Sequence, residues 1–214
     1  MTLTQEQIRN AQPFLAMIDE HMAAIPQRND CVHDMLAFLA EEMLRINKQK
    51  QTLEQSFLAM IASTLHIQPQ PDEDGKSGID AMKSKTALLN YIGDYHMDEP
   101  PLSWRHLQDI LIQNRKICDV QDFDRLLFDI EQAYHQNLDT VLPIKIQIEC
   151  TDYLIDQTVY RLYGLTKEEI AVVESTVNAP IEAAKERKRQ HEAAKHVKRP
   201  KPEKRIETYG YPSF

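Results

Sequence analysis

Three cysteines (Cys31, Cys118 and Cys150) and eight histidines are the residues from which a nucleophile or a metal centre would be built, and their spacing suits neither. The cysteines are scattered, odd in number and form no C-x-x-C pair, so neither a disulfide framework nor a zinc site is suggested. Cys31 and His33 stand two apart, which on a helix points them to different faces. His191 and His196 are five apart, not the four that aims two imidazoles at one metal. His21, His33, His66, His96, His106 and His135 read as helix-surface or partly buried side chains. Five glycines, at 75, 78, 93, 164 and 210, cannot compose a phosphate-cradling loop, and there is no G-x-S-x-G elbow. No cofactor and no resident metal is expected.

Two short stretches come close to a catalytic pattern. Asp98-Glu99-Pro100-Pro101-Leu102 has the acid and the two prolines of a loop that grips a flipped base, but Leu102 stands where the stacking aromatic belongs. A proline-rich connector explains it better. Asp72, Asp74 and Lys76 are the residue types of a metal-dependent nuclease, yet they crowd into one turn-rich segment where such a core needs strands. That stretch reads as a solvated acidic turn.

One feature has more force. Between residues 185 and 205 stand ten basic side chains, Lys185, Arg187, Lys188, Arg189, Lys195, Lys198, Arg199, Lys201, Lys204 and Arg205, against three acidic ones. The run carries +7, so the formal −8 of the whole chain leaves −15 on everything else. A basic arm binds phosphates by releasing counterions and needs no base-specific contact to do so. DNA contact through this tail is one expectation; a solvated, charge-rich helix end is the other.

The elements that would position these residues are helical. With 214 residues the chain can bury a core unaided, and 5 Gly against 11 Pro is a poor supply for a fold of many hairpins. Thr4 and Gln7 form a capping-box pattern for a helix over about 4–24, with Pro13 bending or splitting it and Pro26 closing it. From Val32 through Leu36, Leu39, Met43, Ile46, Lys50, Leu53, Phe57 and Met60 to Thr64 a 4,3 rhythm predicts a long helix near 30–66. Met35, Phe38 and Ile61 supply a second apolar flank. Residues 67–79 should be a loop, and a short helix near 80–93 should follow. Ser103 is placed to cap another short helix, bearing Trp104, Leu107, Ile110 and Leu111.

Asp122 can cap a second long helix, near 122–163, in which Leu127, Ile130, Tyr134, Asn137, Val141, Ile144, Ile148, Thr151, Ile155, Thr158 and Leu162 keep the heptad and Pro143 adds a kink. Gly164 suits a left-handed cap, and Thr166 with Glu169 opens a last helix. Pro200 and Pro202 then predict a disordered tail.

The stretches FLAEEMLRINKQKQTLEQSFL (38–58), KSKTALLNYIGDY (83–95), PPLSW (100–104) and LPIKIQIECTDYLIDQTVYRLYGLTKEEIAVVE (142–174) together resemble the C-terminal helical region of adenine-specific DNA methyltransferases of the type IIG restriction-modification class, and related phage-defence methylases. Ile155-Asp156, Val159-Tyr160, Leu162 to Thr166 and Glu168-Glu169 match that family's ending position by position. The resemblance implies a helical spacer beside a target-recognition domain, with DNA and a catalytic methyltransferase or restriction subunit as partners. The cofactor loop, the Asn-Pro-Pro-aromatic motif and the nuclease motif of those enzymes have no counterpart here.

The expected architecture is therefore all-α. A long antiparallel, coiled-coil-like hairpin carries short helices at one end and a disordered basic tail. Residues 1–28 form an N-terminal helix, 29–177 a helical domain with short helices near 80–117, and 178–214 a basic helix and tail. The expected function is a non-catalytic spacer or assembly module of a DNA restriction-modification or phage-defence system. The rivals are a detached methyltransferase piece that needs a catalytic partner, and an interaction protein or regulator that uses its acidic body. Without a signal peptide or an apolar run long enough to span a bilayer, a cytoplasmic setting and no membrane partner are expected.

Overall fold

The computed structural model describes residues 3–94, 97 and 99–196, the last five by their backbone alone. These residues form six α-helices and no strand: α1 (Gln5–Ala23), α2 (Asn29–Thr64), α3 (Lys85–Leu89), α4 (Trp104–Gln113), α5 (Phe123–Leu162) and α6 (Lys167–His196). The chain is all-α. Short 3-10 turns at Gly78–Ala81 and Arg115–Ile117 fill the connections around α3 and α4.

Side-chain caps set three of the six helix starts, at Thr4, Ser103 and Thr166. Thr4 and Ser103 hold extended backbone, ψ 158° and 150°, and each side chain accepts from an amide of the first turn. Asp122 occupies the equivalent place before α5 but at ψ 53°, outside the β region, and its carboxylate makes no capping bond. The expected Asp122 cap is therefore a correction. Pro13 and Pro143 lie inside α1 and α5 without dividing either helix. At the far end of α5 the Leu165 N–H reaches Tyr160 O at 2.9 Å and the Gly164 N–H reaches Arg161 O at 3.0 Å, a Schellman closure with Gly164 at φ +64°. Thr166 and Glu169 then cap one another and start α6.

Helices α2 and α5 run antiparallel, as their partners show in order along the chain. Val32 clusters with Leu154 and Leu162, Ile46 with Ile144 and Ile148, Leu53 O accepts from Asn137, and Phe57 packs on Tyr134. The heptad positions Val32, Leu39, Ile46 and Phe57 on α2 are buried, as are Leu127, Ile130, Tyr134, Val141, Ile144 and Ile148 on α5. Of the proposed second flank on α2, Ile61 is fully buried and Met35 packs against α1, but Phe38 is 58% exposed. One apolar side of the helix suffices at that level.

The largest cluster lies where α3 and α4 cover the pair, and joins Ile61, Leu65, Leu88, Tyr91, Leu107, Leu111, Phe123 and Ile130. Phe57, Tyr91, Tyr134 and Trp104 pack as tilted rings at centroid separations of 4.9 to 6.3 Å. Their polar edges are satisfied: Tyr91 donates to Asn137 Oδ1, Asn137 donates to Leu53 O at 3.3 Å, and the Tyr134 hydroxyl donates to Leu102 O. At the opposite end Leu15 and Ile18 of α1 seal Val32.

Two expected boundaries change. The loop assigned to 67–79 begins later, because Ile67 is 2% exposed, bridges Cys118 and belongs to the main core. The helix expected over 80–93 shrinks to the five residues of α3. Asn114 captures the chain just before it: Asn114 Oδ1 accepts from Lys83 N at 2.7 Å, and Asn114 Nδ2 donates to Lys83 O at 3.0 Å. A backbone bonded sideways in this way cannot also continue a helix ladder, and Ser84 turns into the left-handed region at φ 60°.

Candidate functional site

The basic positions divide between described and undescribed parts of the chain. Lys185, Arg187, Lys188 and Arg189 sit on the last turns of α6, Lys195 lies further along that helix, and Lys198, Arg199, Lys201, Lys204 and Arg205 fall outside the described residues. Carboxylates of this chain already meet three of the four described groups. Lys185 Nζ lies 2.8 Å from Glu182, Arg189 lies 3.9 Å from Glu186, and Lys188 pairs with Glu99. Arg187 donates to Ala183 O at 3.2 Å. Positions 185, 188 and 189 share one side of α6 by their spacing, and Arg187 faces another.

Helix α6 turns back along α5 after Gly164. Glu174 adds its repulsion to the burial and the Asp152 charge that raise the Asp156 carboxyl, and Lys188 reaches the loop after α3. Apart from Ile170, Ile181, Ala184 and Lys185, its side chains from Lys167 to His191 are exposed.

The stretch 151–174 builds structure here. Thr158 and Tyr160 are buried, Leu154 and Leu162 pack against α1, and Arg161 holds Asp19 at 2.9 Å. Gly164, Thr166 and Glu169 form the cap and the restart. Asp156 stays on the outer side, where partial burial first, and then repulsion from Asp152 and Glu174, pushes its carboxyl up.

A cleft of about 440 Å³ opens between α2, α5 and the turn after α3, and its polar lining comes from Asn47, Lys50, Asn90, Asp94, Lys145 and Asp152. Lys145 is 5% exposed and donates to Ile92 O at 3.1 Å. Burial lowers its pKa, opposed by Glu149, Asp94 and Glu99, while Lys50 adds to the lowering. Lys50 is held by Glu54 at 3.2 Å. Ammonium and carboxylate groups are thus interleaved around the cleft, a pattern that ties the turn to α5. Sequence reasoning passed over Lys145. Its signal was a lysine inside the apolar run Leu142–Ile148, four residues before Glu149.

The near-miss motifs resolve as structure too. Asp72 Oδ1 accepts from the amides of Asp74 and Lys76 at 3.0 and 2.7 Å, and Lys76 pairs with Asp74, which makes a self-contained exposed turn. Leu102 N donates to Tyr91 O at 2.7 Å, so the Pro100-Pro101-Leu102 connector is stitched to the core, while Asp98 lies outside the described residues. Burial raises the thiol pKa of Cys118 and Cys150, the reverse of activation. Among the described residues no cluster of three or more His, Cys, Asp or Glu side chains is arranged for a metal, and no helix is long and apolar enough to cross a membrane. Known protein families, curated proteins and solved structures contain no match to this chain.

Proposed function

We propose that the chain is a non-catalytic helical module of a DNA restriction-modification or phage-defence system, one that supports a catalytic methyltransferase or restriction partner on DNA. The carrying observation is the separation of charge. A +7 run begins on the solvent-exposed end of α6, and the remainder of the chain totals −15. The ending over 151–174 supports the same setting by its resemblance, and its residues serve caps and packing, as a spacer requires.

Phosphate binding by such a run must depend on salt, because each neutralised phosphate releases counterions. Affinity for a short DNA duplex should fall steeply between low and physiological salt, and should vanish when residues 185–214 are removed. No duplex binding at low salt would overturn the reading.

A second reading has its own observation. Lys185, Lys188 and Arg189 already face carboxylates of this chain, which favours a protein partner held by the acidic body. Under that reading a tailless chain still captures the partner, and duplex DNA does not compete.

A further inference from the structure

Glu99 is positioned before Lys188 reaches it. Its amide donates to Asp94 O at 2.9 Å, its Oε2 accepts from Asn90 Nδ2 at 3.0 Å, and its carbonyl lies so close to Gly93 that no side chain fits between them. The carboxylate is 21% exposed, whereas the lysine that meets it on Oε1 is 48% exposed. The acceptor is fixed by the body, and the donor arrives on a helix.

That helix is lightly held. Its outward valines Val172 and Val177 are 65% and 60% exposed, and few of its side chains are even half-buried. On α5 the Asp156 carboxyl is raised by burial and then by repulsion from Asp152 and from Glu174 of α6, so like charge works against docking there. Helices of this length depend on tertiary packing for most of their stability, and α6 has little of it. Among the described residues, the Lys188–Glu99 pair joins the basic end of α6 to the α3–α4 connection.

We propose that Glu99 and Lys188 form a latch that parks the basic end of α6 on the body, and that a polyanion opens it by taking Lys188 from Glu99. The polyanion half of this inference rests on the DNA reading above; the latch half does not. Closed, the latch hides one of the four described cations from phosphate. Open, it frees Lys188 together with the neighbouring turn that carries Arg187 and Arg189.

Amide exchange and duplex affinity of the full chain test the two halves separately. Glu99→Gln keeps an oxygen for Asn90 and removes only the charge, and Lys188→Gln breaks the same pair from the other side. Exposed ion pairs contribute ~0.2–1 kcal/mol, so amides over 181–191 should exchange about 1.4- to 5-fold faster in each variant, with no further gain in the double variant. Glu99→Gln should also tighten duplex binding by a similar factor, and Lys188→Gln should weaken it. Unchanged exchange in both single variants overturns the latch. Faster exchange with weaker or unaltered duplex binding by Glu99→Gln overturns competition between Glu99 and phosphate. Faster exchange with no duplex binding by any form supports the latch and overturns the DNA reading.

Discussion

A Cβ at Gly93 would land inside contact distance of the Glu99 and Pro100 carbonyl oxygens, whereas one at Gly164 would meet nothing within 4 Å. Both residues hold positive φ, +71° and +64°, so alanine is strained at either place and crowded at only one. Gly164→Ala should cost ~1–2 kcal/mol, the left-handed penalty alone. Gly93→Ala adds overpacking against backbone that cannot rotate away, for a total of ~2–5 kcal/mol. Urea titration of the two variants makes the comparison, and equal shifts in midpoint would contradict the crowding at Gly93. Because Gly93 also lets Glu99 approach the turn, its substitution should loosen the acceptor that Lys188 uses.

At the scale of elements, the heptad rhythm made α2 and α5 legible, since a 4,3 spacing buries one side of a helix whatever its partner. The chain between them is long enough to permit their antiparallel order, which the side-chain partners then establish. The changes came where a distant side chain decides. Asn114 ends any helix at Lys83, Ile67 is drawn into the core by its bridge to Cys118, and Phe38 faces solvent although its spacing suits a second flank. The site was less legible than the fold. Lys145 became visible only when the turn after α3 folded over it, and Glu99 gained meaning when α6 turned back.

The seam between α5 and α6 carries a pH dependence with a definite sign. The Asp156 carboxyl is raised in the folded chain above its ordinary value of 3.8, so the folded state holds that proton more tightly than the unfolded state does. This contribution to stability is fully present below the ordinary value and is lost as pH rises through the raised one. At neutral pH the ionised group therefore opposes folding, and Asp156→Asn should melt at a higher temperature than the parent. The gain should shrink as pH falls through the raised value of the parent's Asp156. A variant that melts lower at neutral pH, or a gain that does not change with pH, would refute a carboxyl raised by burial and by its acidic neighbours.

Among the described residues, burial is strung along the α2–α5 pair as three clusters instead of one. Leu15, Ile18 and Val32 lie at one end, Ile46, Ile144 and Ile148 stand between, and the aromatic group with α3 and α4 lies at the other end. Such an arrangement opens from its smaller end first, because fewer apolar contacts hold it there and the long helices need not separate throughout. Ile18 is fully buried in the small cluster and Ile61 fully buried in the large one, so the same truncation tests both ends. Each change to alanine should cost ~2–5 kcal/mol where its own cluster is held. Ile18→Ala should speed amide exchange through α1 and the adjoining ends of α2 and α5, and leave Tyr91 and Tyr134 protected. Ile61→Ala should lower protection throughout, since the largest cluster underlies global stability. Equal loss of protection at both ends in Ile18→Ala would mean that the pair unfolds as a single unit, and that α1 is as much a part of the core as α3 and α4.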